Sequence, residues 1–147
     1  MHATESRPAF HLHLGAIGAG ILTFIALYVL LGLVILFALA FLSERVPSAA
    51  LYGSFKIIGL ASWAAPGYIA ARIAGQRGWL HGALTGIGVG ALVTVSMMFT
   101  FSWEGSVHTQ VRDSMMKTFA IAWLLCTLAG ALADIIAARN RRGRARA

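Results

Sequence analysis

Two opposite charges lie near the ends of apolar stretches, and these are the first residues to consider for chemistry. Arg72 stands close to the end of the stretch that begins at Leu51, and Asp134 close to the end of the stretch from Met115. Charges at membrane depth are functional candidates by default. Because both side chains fall at a similar depth, we predict an intramembrane ion pair that fixes the register of two helices. A proton or cation site at Asp134 is the alternative.

The histidines offer little for catalysis or metal binding. His11 and His13 alternate ahead of the first apolar stretch, but no Cys or carboxylate lies around them at ligand spacing. His81 follows Trp79 by two residues, so we expect it at the level of the lipid headgroups. No nucleophile elbow, H-E-x-x-H motif or phosphate-cradling glycine loop occurs. We therefore expect no enzyme activity, no catalytic residue, no metal site and no cofactor.

The composition places the protein in a membrane. Only 12% of the 147 residues are charged, whereas 59% are hydrophobic. A soluble domain carries about 25% charged residues. So few charges cannot cover the surface of a soluble protein of this size, and most of that surface must face lipid.

Four apolar stretches are long enough to cross a bilayer, which takes about 20 residues of helix. Backbone in hydrocarbon must satisfy its own hydrogen bonds, so each stretch should be helical. The first is too long for a signal peptide core, and we expect it to be retained. We predict an all-α, polytopic membrane protein, a compact glycine-rich bundle of four transmembrane helices. The spans are about 14–42, 51–74, 79–101 and 115–138, between a segment 1–13 and a basic tail 139–147.

The distribution of basic residues predicts the orientation. With four spans, both termini and the loop after the second span share one side. That side carries eight Lys and Arg residues: Arg7, Arg72, Arg77, Arg139, Arg141, Arg142, Arg144 and Arg146. The other side carries four: Arg45, Lys56, Arg112 and Lys117. The positive-inside rule therefore places both termini in the cytoplasm, in a multi-pass protein of the cell membrane.

The arginine-rich tail should lie on anionic headgroups, where each basic residue contributes about 1 kcal/mol. No aromatic residue is interleaved with its arginines for base stacking, so nucleic acid is not an expected partner.

A glycine occurs at every fourth position of the third span. Gly78, Gly82, Gly86 and Gly90, here called the glycine ladder, share one helix face. Such a face lets another helix approach closely, as in a glycine zipper. The fourth span offers a matching face around Gly130, and the first and second spans offer others. The spacing leaves open whether the ladder packs within the chain or between chains.

The segment "GYIAARIAGQRGWLHGALTGIGVG" (67–90) resembles the signature of the YrzE-type family of small bacterial membrane proteins. The matching turn residues are Gly75, Arg77, Gly78, Trp79, Leu80, His81 and Gly82. The resemblance covers the middle third of the chain and implies four spans in a bacterial plasma membrane. It also marks the cytoplasmic turn, with Gly75, Arg77, Trp79 and His81, as a candidate site, but it implies no activity.

Two functions fit these features. The first is a non-enzymatic membrane protein that acts by helix–helix assembly, as a homo-oligomer or as an accessory subunit with a membrane-protein partner. The alternative is a small channel or transporter for an ion or small solute, which would need a polar site at the bilayer midplane. The sequence specifies neither substrate, nor partner, nor stoichiometry.

Overall fold

The computed structural model describes residues 13–42, 48–102 and 108–144, with side chains for 13–41, 57–99 and 112–144. It is all-α. The four helices are α1 (Leu14–Leu42), α2 (Ser48–Ala74), α3 (Gly78–Ser102) and α4 (His108–Arg144). All four are long and apolar enough to cross a membrane. The predicted all-α class and the four helices of membrane-crossing length are thereby confirmed, while residues 1–12 lie outside the described residues.

Two helices extend beyond the predicted spans. α2 begins at Ser48, and α4 runs from His108 to Arg144 rather than from 115 to 138. The polar segment before Met115 lies outside the predicted span, but from His108 onward it contains no Gly or Pro to end a helix. At the other end, arginines in the last turn interact favourably with the helix dipole. Part of the predicted tail is therefore helical.

A three-residue turn joins α2 to α3. Gly75 adopts φ +70°, and its N–H donates to the carbonyl of Ala71 at 3.0 Å, which closes α2 as a left-handed glycine commonly does. Arg77 also has a positive φ, +47°, which is uncommon for a residue with a side chain. The Arg77 carbonyl accepts the N–H groups of Leu80 and His81 and so begins α3. This end of the bundle, called the turn end, also holds the start of α1 and the end of α4.

The helices do not contribute equally to the core. α3 and α4 share the most extensive contact, and α2 packs against all three others. α1 contacts α2 and, less extensively, α3; within the described residues it has no contact with α4. The central apolar cluster contains Phe24, Val89 and Ala122, with Trp63 and Val93 against it. α1 thus joins the bundle mainly through α2 and contributes Phe24 to the core, on the side away from α4.

Candidate functional site

The glycine ladder packs on α4, beginning at the turn end. A Cβ at Gly78 would lie 2.6 Å from the carbonyl oxygen of Gly130, closer than any real Cβ contact. A Cβ at Gly82 would collide with the carbonyl oxygen of Cys126. From the other helix, a Cβ at Gly130 would collide with the carbonyl oxygen of Gly78. These glycines therefore allow the two backbones to touch directly.

The upper ladder meets larger residues of α4. A Cβ at Gly86 would lie 2.8 Å from the Cα of Trp123, again a backbone contact. At Gly90 the nearest atom is Cδ2 of the Phe119 ring, at 2.7 Å. All four ladder positions are thus in contact with α4, and the ladder packs within the chain.

A third helix approaches α4 at the same level. A Cβ at Gly67 in α2 would lie 2.6 Å from the Cα of Cys126. The Cys126 thiol donates to the carbonyl of Trp63 in α2 at 3.1 Å. Gly67 and Gly82 therefore hold the α4 backbone between them, so that three helices meet at Cys126. The sequence had placed Gly67 on a small-residue face without indicating this convergence.

Asp134 acts at the start of α3. Its Oδ2 accepts a hydrogen bond from the Trp79 N–H at 3.2 Å. A Cβ at Gly78 would lie 2.8 Å from Oδ1, so the carboxylate sits against the first residues of the helix. A carboxylate is favourable there because the helix N-terminus carries partial positive charge. Arg72 is exposed near the end of α2, and its ion pair with Asp134 stays a prediction.

His81 is fully buried, while its expected depth at the level of the headgroups stays a prediction. Its Nε2 accepts the His13 backbone N–H at 3.4 Å, and its Nδ1 lies 3.2 Å from the Arg77 carbonyl oxygen. Both bonds form at once only if Nδ1 carries the proton and donates it to that carbonyl. Proximity to Trp79 indicated depth in the membrane, but not that His81 points inward beneath α1. The imidazole therefore joins the start of α1 to the start of α3.

A charged cleft opens beside the α2–α3 turn. Its volume is about 480 Å³, and its polar lining consists of Gln76, Arg77, Asp134, Arg141 and Arg142. Arg141 spans the edge of the cleft, donating from Nη2 to the Gly75 carbonyl at 3.4 Å. We call this feature the basic cleft. The sequence marked Arg77 and Asp134 but gave no indication that the last turns of α4 complete a cavity with them.

The outer flank of α1 carries a row of apolar residues that no described helix buries. Residues recur on it at alternating spacings of three and four, and none is buried. We call this row the α1 seam: Gly15, Gly18, Leu22, Ile25, Val29, Gly32, Leu36 and Leu39. A groove of about 440 Å³ separates α1 from α3, and Ile25 and Val29 of the α1 seam line it together with Phe24, Tyr28 and Leu92.

Two threonine hydroxyls inside the bundle have no hydrogen-bond partner within the described residues. They belong to Thr85, which is fully buried, and to Thr94. Val89 lies between them on α3 and is also fully buried. The two hydroxyl groups are therefore separated by an apolar side chain inside the bundle.

Within the described ranges, no three His, Cys, Asp or Glu residues are grouped so as to hold a metal ion. No known protein family, curated protein or solved structure matches the chain. The resemblance to the YrzE-type family therefore stays a prediction.

Proposed function

We propose that this four-span membrane protein is non-enzymatic and acts by helix–helix assembly, as a homo-oligomer or as an accessory subunit of a membrane complex. We further propose that the α1 seam is the face through which it assembles. The observation that carries the proposal is the contrast in burial among the spans. In the apolar 18-residue window that marks each span, 6% of the α1 residues are buried, against 33%, 28% and 28% in α2, α3 and α4.

The ladder contributes to this proposal indirectly. Its glycines already contact α4, so they are not available to a second protein. The glycines of the α1 seam differ from those of the ladder, since a Cβ at Gly15, Gly18 or Gly32 would meet no described atom within 4 Å. Gly15 and Gly18 lie together at the turn end of α1. A neighbouring helix could approach its backbone closely there.

The spacing of the α1 seam suits a helix partner. Residues at alternating steps of three and four stay on the face that meets a neighbouring helix when two helices pack in a left-handed supercoil. Membrane helices associate through van der Waals packing and small residues rather than through the hydrophobic effect. The α1 seam combines glycines with branched side chains at these positions and carries no charge. These features suit another membrane helix better than a water-soluble partner.

Native mass spectrometry of the protein in lipid nanodiscs tests the proposal. We expect wild-type particles to contain a second copy of the chain or a second protein. Gly18→Leu should abolish this species, because the larger side chain separates the backbones. Gly59→Leu on α2 is the matched control, since a Cβ there also meets no described atom within 4 Å. A lone chain in wild-type particles, or equal loss in both variants, would contradict the proposal.

A small channel or transporter is the second candidate, favoured by the Thr85 and Thr94 hydroxyls. Buried polar atoms without partners are uncommon and often mark a water or solute site. Against it, Val89 interrupts the line between the two threonines. A liposome flux assay separates the candidates: transport requires measurable flux that Thr85→Val reduces, whereas assembly requires none.

For the orientation we propose cytoplasmic termini in the cell membrane, with the basic tail on anionic headgroups. The support is the excess of Lys and Arg on the side of the termini. We also propose a relation to the YrzE-type family, supported only by the turn residues from Gly75 to Gly82.

A further inference from the structure

We propose that the basic cleft is a binding site for a phosphate-bearing anion. Three arginines, Arg77, Arg141 and Arg142, line one cavity of about 480 Å³. Ligand sites in proteins commonly have volumes of about 300–1,000 Å³, so the cleft has room for a phosphate group and part of its substituent. The site is separate from the α1 seam and does not depend on assembly.

The charges of the cleft favour an anion. Arginine stays protonated in proteins, so the cleft carries three positive charges against the one carboxylate of Asp134. That carboxylate already accepts the Trp79 N–H at the start of α3. Guanidinium groups match the geometry of phosphate oxygens and bind them through paired hydrogen bonds.

The cleft is built by specific contacts rather than by a tail lying along a surface. The left-handed backbone of Gly75 and Arg77 shapes its wall. A non-glycine residue in this conformation is held there by its surroundings, and such residues cluster at functional sites. Arg141 donates to the Gly75 carbonyl and so holds the last turns of α4 against the α2–α3 turn. The small side chains of Ala137 and Ala138 leave the space between them open.

The location gives two sources for such an anion. Trp79 is exposed at the first turn of α3, and tryptophan at a helix end is typical of the headgroup region of a bilayer. The phosphate of an anionic lipid could therefore enter the cleft from the membrane. A soluble phosphate could enter from the water beyond it. The chemistry is the same, and the experiment distinguishes the sources.

The test compares two double variants with the same change in charge. Arg141→Gln/Arg142→Gln removes two cations from the cleft, and Arg139→Gln/Arg144→Gln removes two from the same helix outside it. Full-length protein is placed in nanodiscs of mixed phosphatidylglycerol and phosphatidylcholine. Native mass spectrometry then measures which lipid stays bound, with and without millimolar inorganic phosphate.

We expect wild type and the outer variant to retain phosphatidylglycerol preferentially. The cleft variant should lose that preference by about tenfold, which corresponds to about 1.4 kcal/mol. If inorganic phosphate displaces the lipid from wild type, the site accepts soluble phosphate as well; if it does not, the lipid is the source. If both double variants lose the preference for phosphatidylglycerol equally, the lipid is attracted by the total charge of the helix end and not by the cleft. That result would overturn the proposal, and so would a wild-type protein that binds neither phosphatidylglycerol preferentially nor inorganic phosphate.

A single variant guards against loss of structure. Arg142 lines the cleft but does not make the bond to Gly75, which belongs to Arg141. Arg142→Gln should therefore keep the turn intact and lower the lipid preference by severalfold, whereas Arg144→Gln should not. If Arg142→Gln and Arg144→Gln keep the same preference for phosphatidylglycerol, the proposal is overturned even if the double variant fails to fold.

Discussion

Glycine occurs on both α3 and α1, but its surroundings differ between the two helices. On α3, a Cβ at Gly82 would collide with the backbone of α4, and one at Gly86 would lie 2.8 Å from it. On α1, a Cβ at Gly15 or Gly18 would meet no described atom within 4 Å. One set of glycines closes the core of this chain, and the other leaves a surface open.

The difference shows what glycine spacing does and does not indicate. A row of glycines predicts that two backbones approach closely, because an unpartnered glycine destabilises a helix by up to about 1 kcal/mol relative to alanine. It does not identify the partner. In this protein the more regular row is satisfied internally, so the less regular row on α1 is the better candidate for assembly.

Alanine substitution at a packed glycine of α3 and at an open glycine of α1 tests this difference most strongly. In Gly82→Ala the new Cβ collides with the Cys126 carbonyl, and its three nearest atoms are all α4 backbone, so no side chain can move aside. We expect a loss of about 3 kcal/mol in the free energy of unfolding, the upper range for overpacking. The matched change Gly18→Ala should leave it unchanged or raise it by up to about 1 kcal/mol.

Reversible unfolding in mixed micelles measures both variants. Equal destabilisation by Gly82→Ala and Gly18→Ala would mean that the two helices do not differ as described.

Replacing His81 tests how the flanking helix is joined to the core. His81→Phe keeps an aromatic ring but leaves the His13 N–H and one bond to the Arg77 carbonyl unmade. Losing buried partners of this kind costs about 1–3 kcal/mol. His13→Ala is the control, because the bond comes from the His13 backbone and survives the change. The free energy of unfolding should fall for His81→Phe alone. A similar fall for His13→Ala would assign the effect to the contact between the two imidazole rings, whose centroids are 6.2 Å apart.

The smallest expected effect concerns the start of α3. Asp134→Ala removes the acceptor of the Trp79 N–H, and losing a helix-capping group costs about 1 kcal/mol. Arg72→Gln, measured in the same way, sharpens the interpretation. If Asp134 only caps α3, Arg72→Gln should have little effect. If the predicted ion pair forms, both variants should be destabilised and the double variant should lose less than their sum.

Much of the fold follows from the sequence, because hydrocarbon permits little else. Uncharged stretches of bilayer length must be helices, and the glycine ladder required a close neighbour. The spacing did not choose α4, since small residues around Gly67 and Gly20 repeat on α2 and α1 as well. Only the packed structure shows that the backbone at Cys126 fits between Gly67 and Gly82.

The candidate site was less predictable. Distance along the chain from Trp79 gave the depth of His81 but not the direction of its ring, which depends on where α1 lies. The basic cleft was missed because Arg77 and Arg141 are far apart in sequence and meet only through the turn. Residues 108–114 lie outside the predicted fourth span because they are polar, but they continue the helix since no Gly or Pro there ends it.

Photocrosslinking in native membranes tests the central claim most directly. A benzophenone side chain is placed at Val29 on the α1 seam or at Leu128 on α4, which are 56% and 57% exposed in this chain. If assembly occurs through α1, the probe at Val29 should give a protein adduct, either a second copy or a partner, and the probe at Leu128 should react only with lipid. No protein adduct at Val29, or equal adducts at both positions, would contradict the account.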